Sequence, residues 1–176
     1  MDSAKAGSIR MELTSRNIAI CGIIAAVYTA ICVVIPFISY GPLQVRVAEA
    51  LTILAVMSPI GIWGVTLGCA LANMYGWMTG VNLLGYMDIF FGTAASFIAA
   101  VMSWHLRHLR FMGLPLASTI PPVLVNALII GAQIAFVYNM PFYAAAFSVM
   151  IGQLVACVGM GLMLFKALER RNITIR

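Results

Sequence analysis

Charge is what this sequence has least of. Only 9% of its 176 residues are Asp, Glu, Lys or Arg, and five residues in all are acidic. With 63% hydrophobic residues and a mean hydropathy of +1.04, the chain lies outside the composition of a water-soluble domain. Cysteine is sparse as well: Cys21, Cys32, Cys69 and Cys157 stand singly in apolar runs, without CxxC spacing or a paired histidine. No metal site is expected from them, and packing is their expected role. There is no GxxxxGK[ST] phosphate loop, which excludes ATP hydrolysis by that route. Dinucleotide fingerprint, GxSxG elbow and HExxH pair are missing too, so the chain does not read as an enzyme, and no cofactor is expected in it. It also lacks linkers, low-complexity segments and fixed-period repeats. Residues 1–176 therefore read as one transmembrane domain, with a cytoplasmic N-terminal segment 1–16 and a cytoplasmic tail 169–176.

What is there is a succession of apolar runs. Crossing a bilayer takes about 20 apolar residues, so the length accommodates about six crossings and no separate soluble domain. Six segments can be drawn: 18–35, 47–57, 60–78, 84–104, 116–137 and 142–168. The first follows a polar start and has no AxA-like processing site after it, so it is expected to remain as a helix rather than be cleaved. The second is short, and its polar beginning requires shielding by protein rather than lipid. The fold class expected is an all-α integral membrane protein with six transmembrane helices in one bundle.

With the N-terminus in the cytoplasm, Lys5, Arg10, Arg16, Arg107, Arg110, Lys166, Arg170, Arg171 and Arg176 fall inside and Arg46 alone falls outside, out of ten basic residues. The positive-inside rule therefore predicts a cell-membrane protein with both termini cytoplasmic. Trp63 and Trp104 are then expected near the inner interface, and Tyr40 and Trp77 near the outer one.

This topology also sorts the intramembrane polar residues by depth. Gln44, Arg46 and Glu49 open the second segment; Asn73 and Tyr75 close the third; Asn82, Tyr86 and Asp88 lie at the re-entry. Asn126, Gln133, Tyr138 and Asn139 follow on the fifth, and Gln153 lies near the middle of the sixth. Most occupy the outer half. Two readings are open: an outward-facing pocket with apolar walls and a few convergent polar groups, or interhelical hydrogen bonds that serve assembly only. Glu49 and Asp88 are the acidic residues outside the tails, and intramembrane ionisable groups are functional-site hypotheses by default. Arg46, three residues before Glu49, either contacts a ligand or pairs with Glu49.

Gly22, Ala26 and Ala30 repeat every four residues on the first helix and form a small-residue stripe suited to close approach of another helix, of this chain or of a partner. The twelve methionines read as adaptable filler. His105 and His108, set among arginines, read as a solvated basic loop suited to anionic lipid headgroups or an acidic partner.

The run LQVRVAEALTIL (43–54), continued by GIWGVTLGCALANMYG (61–76) and LLGYMDIFFGTAAS (83–96), resembles the QueT family. Its members are substrate-binding S components of energy-coupling factor (ECF) transporters, associated with precursors of the nucleoside queuosine. The resemblance implies an S component that captures a 7-deazaguanine such as preQ1, or queuine, at the outer face. It also implies docking of the Gly22, Ala26 and Ala30 stripe on a transmembrane coupling subunit, with ATP hydrolysis supplied by two partner ATPase subunits. The segment 36–45 would cover the pocket. A carboxylate accepts the paired N–H donors of such a base in bidentate fashion, which nominates Glu49. Asp88 would meet an aminomethyl cation, Asn73 or Gln133 the base carbonyl, and Tyr86, Tyr138 or Phe142 the ring face. The alternatives are an S component for another vitamin or nucleobase, and a membrane assembly protein without a transport role.

Overall fold

A computed structural model describes residues 9, 11–40 and 45–171, apart from the side chains of Phe37 and Ile38. Gln44, with the rest of 41–44 in the covering segment expected at 36–45, and the terminal basic residues Lys5, Arg10 and Arg176 lie outside the described residues. The chain folds into one bundle of helices: α1 (Ser15–Val34), α2 (Pro36–Ser39), α3 (Leu54–Met57), α4 (Pro59–Met78), α5 (Met87–His105), α6 (Leu116–Tyr138), α7 (Phe142–Gln153) and α8 (Gly161–Arg170). A 3-10 segment, Val47–Ile53, leads into α3, and a π-helical segment, Leu154–Met160, joins α7 to α8 as one continuous rod.

Among the described residues, four stretches are long and apolar enough to cross a membrane: Ser15–Val34, Met87–His105, Leu116–Tyr138 and Phe142–Arg170. The 20-residue α4 equals α1 in length but is diluted by glycine, asparagine and two tryptophans. The second apolar segment is shorter than the others. Val47–Met57 is a short, largely buried element, stopped by extended Ser58, whose hydroxyl caps the backbone N–H of Ile60 at 3.2 Å, and by Pro59 at the start of α4. Gly61 then lets α4 fold back against α3, since a Cβ there would lie 2.6 Å from the Ala55 nitrogen.

The close approach of α1 and α4 rests on a stripe that the sequence displays as GVTLG. At Gly64 a Cβ would lie 2.8 Å from the Ile24 side chain, and at Gly68 2.6 Å from that of Tyr28. The Thr29 hydroxyl bonds the Ala25 carbonyl at 2.8 Å and the Gly68 carbonyl at 3.2 Å. Small residues give helices in lipid their van der Waals contact where a hydrophobic driving force is absent. The face of α1 engaged is Cys21, Ile24, Ala25, Tyr28 and Cys32. Gly22, Ala26 and Ala30 lie on the opposite, exposed face, and nothing stands within 4 Å of a Cβ at Gly22. Of the two ways to satisfy that stripe, packing within the chain is therefore not the one used.

Two aromatic residues of the expected interfacial belts, Tyr40 and Trp104, face into the bundle. Tyr40 is buried, its hydroxyl donating to the Ala72 carbonyl at 2.6 Å. Trp104 is buried as well, with the Arg107 guanidinium 3.6 Å from its ring centre. The Tyr40 hydroxyl is thereby satisfied, whereas Trp104 has a cation over its ring and an indole Nε1 without a hydrogen-bond partner. Trp63 and Trp77 remain exposed, and so does His105 in the basic loop.

These packings predict opposite outcomes at two glycines. Gly68→Ala is expected to cost about 1–3 kcal/mol through overpacking against Tyr28 and the Ala25 carbonyl, whereas Gly22→Ala changes stability by no more than about 0.5 kcal/mol. Thermal unfolding of both variants in detergent measures the difference, and equal effects would contradict the assignment of the α1 faces.

Candidate functional site

Two buried clusters of ionisable side chains meet around Cys69. The first is built on Arg46 and Asp88. Asp88 stands in the first turn of α5, where the helix dipole favours a carboxylate. Its Oδ2 accepts from the Arg46 guanidinium at 2.7 Å and from Asn82 Nδ2 at 2.8 Å. Arg46 also donates to Asn73 Oδ1 at 2.6 Å, while Asn73 Nδ2 bonds the Asp88 carbonyl at 2.7 Å. The ring of Tyr40 lies 5.8 Å from the guanidinium carbon. Arg46 is 3% exposed and Asp88 fully buried. Removing two ions from water costs several kcal/mol each, and surrounding hydrogen bonds of this kind are what offset it. The offset is incomplete, because Arg46 Nε and Asp88 Oδ1 have no hydrogen-bond partner. Oδ1 lies over Gly92, where a Cβ would come within 2.5 Å of it.

The second cluster is centred on Glu49. Its Oε1 accepts from the Tyr28 hydroxyl at 2.6 Å and the Ser96 hydroxyl at 3.0 Å, and its Oε2 from Thr52 at 2.9 Å. A carboxylate offers about four lone-pair positions, so about one, on Oε2, remains open. Three residues per turn in the 3-10 segment align Glu49 with Thr52. Arg46 precedes that segment with a non-helical backbone, φ −77° and ψ 85°, which turns its side chain away from Glu49 and toward Asp88. The Arg46–Glu49 pairing allowed by their spacing is thus replaced by Arg46–Asp88. Wider π-helical winding brings Cys157 to the Glu49 carbonyl at 3.5 Å and to Gln153 Oε1 at 3.1 Å.

Cys69 joins the clusters: its sulfur lies 3.7 Å from Arg46 Nη1, 3.4 Å from Asn73 Nδ2 and 3.3 Å from the Ser96 hydroxyl. Cys69 and Cys157 therefore take part in polar contacts, a correction to packing alone. A soft acceptor with a weak S–H donor suits a crowded site of this kind.

The family model described as QueT transporter matches residues 18–170. The chain belongs to the QueT transporter family. Both clusters lie within the matched span, which makes this a membrane protein of a transport family with buried charges in its bundle. No curated protein and no solved structure matches it significantly.

Of the residues nominated from the sequence, Glu49, Asp88, Arg46 and Asn73 come together. Asn126 is buried on α6 with an unpartnered Nδ2. Gln133, also on α6, lines a cleft between α5 and α6. The Tyr138 hydroxyl has no partner; Tyr86 and Phe142 are 61% and 47% exposed at the same end of the bundle. Asn139 ends α6 in a left-handed cap, φ 53°. Sequence reading missed Tyr28, Thr52, Ser96 and Cys69 as partners. Tyr28, on the α1 face opposite the small-residue stripe, carried the one usable signal.

Breaking the ion pair is expected to cost more than trimming the hydroxyl cage. Arg46→Ala strands the Asp88 charge and lowers stability by about 3–5 kcal/mol, whereas Tyr28→Phe removes one hydrogen bond to Glu49 for about 1–3 kcal/mol. Unfolding in detergent ranks the two, and the reverse order would contradict a desolvated Arg46–Asp88 pair.

Proposed function

We propose that this chain is the substrate-binding S component of an ECF importer and that Glu49, Asp88, Arg46 and Asn73 bind a queuosine precursor, a 7-deazaguanine. The observation that carries the reading is the burial of two carboxylates and a guanidinium side by side with Arg46 Nε and Asp88 Oδ1 unpartnered. A purely structural ion pair gains nothing from leaving a donor and an acceptor unpaired, whereas a polar heterocycle supplies complements to both. The base presents adjacent N–H donors to a carboxylate. With Glu49 caged by three hydroxyls, Asp88 Oδ1 is the acceptor available first, and a cationic substituent on the base adds to its attraction.

The cluster sits where the 3-10 segment and α5 begin, and the substrate would enter from the outer face, with both termini cytoplasmic. The exposed stripe of Gly22, Ala26 and Ala30 on α1 would dock on the transmembrane coupling subunit, and two partner ATPases would supply the energy. No nucleotide-binding motif occurs in the chain, in keeping with that division of labour.

Isothermal titration of the purified chain with 7-aminomethyl-7-deazaguanine tests the proposal. Asp88→Asn and Glu49→Gln, each verified as folded by its helical circular dichroism, are expected to weaken binding by about tenfold or more, as loss of a charge-assisted contact does. Parent-like affinity in both would refute the assignment of the site, and a parent protein that binds guanine or another vitamin instead would overturn the substrate.

A further inference from the structure

We propose that the turn between α5 and α6, together with the last turns of α8, forms a binding surface for the phosphate headgroup of an anionic phospholipid, at the opposite end of α5 from Asp88. The basic sequence 105–110 suits either such a lipid or an acidic protein, and the fold decides between them. Phe111 and Leu114 exchange backbone hydrogen bonds of 2.8 and 3.0 Å, closing a tight turn whose central residues, Met112 and Gly113, have left-handed φ of 50° and 80°. Leu114 packs against the core and Pro115 is fully buried, which fixes the turn in place. Its tip is apolar and uncovered: Phe111 and Met112 are 65% and 89% exposed.

Depth favours the lipid. α5 ends at His105 and α6 begins at Leu116, and both helices are long and apolar enough to cross a membrane. Residues 106–115 therefore lie just past the hydrocarbon edge, in a headgroup layer of roughly 5–8 Å. Large apolar side chains held at that level insert toward the acyl chains, as interfacial anchors do. A water-soluble acidic partner would reach the charges only by drawing Phe111 and Met112 out of that layer.

Charge supplies the headgroup chemistry. Over 105–115 and 161–171 the sequence has five basic residues and one acidic. Arg110 joins the two stretches, its guanidinium 3.3 Å from Glu169 and 5.5 Å from the centre of the Phe165 ring. That contact brings the end of α8 to the turn, where Lys166 and Arg170 are exposed one helical turn apart. Arg110 and Glu169 are both about half exposed, and an ion pair so placed is worth little. A phosphodiester therefore takes Arg110 from Glu169 at low cost and accepts from its fork of N–H groups in bidentate fashion. Arg107 is held by stacking on Trp104 and by donating to the Trp104 carbonyl at 2.7 Å, contacts that leave its positive charge in place beside the turn. Basic side chains at this level are drawn to anionic lipid.

The test uses the full chain, purified in dodecyl maltoside and titrated with dioleoylphosphatidylglycerol or dioleoylphosphatidylcholine, with bound lipids counted by native mass spectrometry. The first phosphatidylglycerol is expected to bind about tenfold more tightly than phosphatidylcholine, which has the same chains and no net charge. Inorganic phosphate at equal concentration should not displace it. Arg110→Gln with Arg170→Gln should bring the two lipids to near parity, whereas Arg16→Gln, at an exposed position at the start of α1, should keep the preference. Phe111→Ser with Met112→Ser should weaken both lipids alike. All five positions are exposed, so the fold is expected to tolerate the changes. Equal affinity for the two lipids in the parent, the same loss in Arg16→Gln as in the double arginine variant, or unchanged lipid binding without the apolar tip would each overturn the proposal. So would displacement of phosphatidylglycerol by inorganic phosphate, or by a hexaglutamate peptide, which would mark an acidic protein as the partner instead.

Discussion

One constraint organises the elements around it, the contact between Arg46 and Asp88 in the interior of a largely apolar bundle. Two ions cannot be kept out of water without a shell of donors and acceptors, and the elements around them are arranged to provide one. Asn73 comes from α4 and Asn82 from the turn before α5; both bond Asp88, and Asn73 bonds Arg46 as well. Gly92 gives the carboxylate room, since a Cβ there would lie 2.5 Å from Oδ1. The short 3-10 element fits the same constraint. A regular helix entered one turn earlier would have put Arg46 over Glu49, leaving Asp88 buried without a cation.

Glu49 solves the same problem without a cation. Hydroxyls from α1, α5 and its own segment converge on it, and the π-helical segment between α7 and α8 brings Cys157 to its backbone carbonyl. Three parts of the chain thus meet at one carboxylate, and a fourth at its backbone carbonyl. Cys69 touches both this cage and the ion pair, which makes the two clusters one contiguous network.

Much of this was legible in the sequence, for physical reasons that can be named. Apolar runs long enough for a bilayer gave the helices, with α6 and the α7–α8 rod close to their expected limits, because hydropathy reports directly on the lipid environment. The charged cluster was legible because an ion among apolar residues stands out. Its pairing was not: spacing along the chain brings Arg46 to Glu49, and only the non-helical backbone at Arg46 redirects it across 42 residues. The hydroxyl cage was hidden as well, since Tyr28, Thr52 and Ser96 look like ordinary membrane-helix residues until three elements are folded together. The second apolar run stops short through local chemistry, a serine cap and a proline, that sequence displays but hydropathy ignores.

If the chain binds its substrate at Arg46 and Asp88, the buried ion pair is kept for binding rather than for stability. Replacing it with an apolar pair of similar size, Arg46→Met with Asp88→Leu, tests this most directly, because such swaps are often neutral or stabilising in a protein interior. Measured together, the unfolding midpoint and the calorimetric affinity for 7-aminomethyl-7-deazaguanine are predicted to separate: a midpoint at or above that of the parent, with binding lost. A double variant that binds as the parent does would contradict a binding role for the pair.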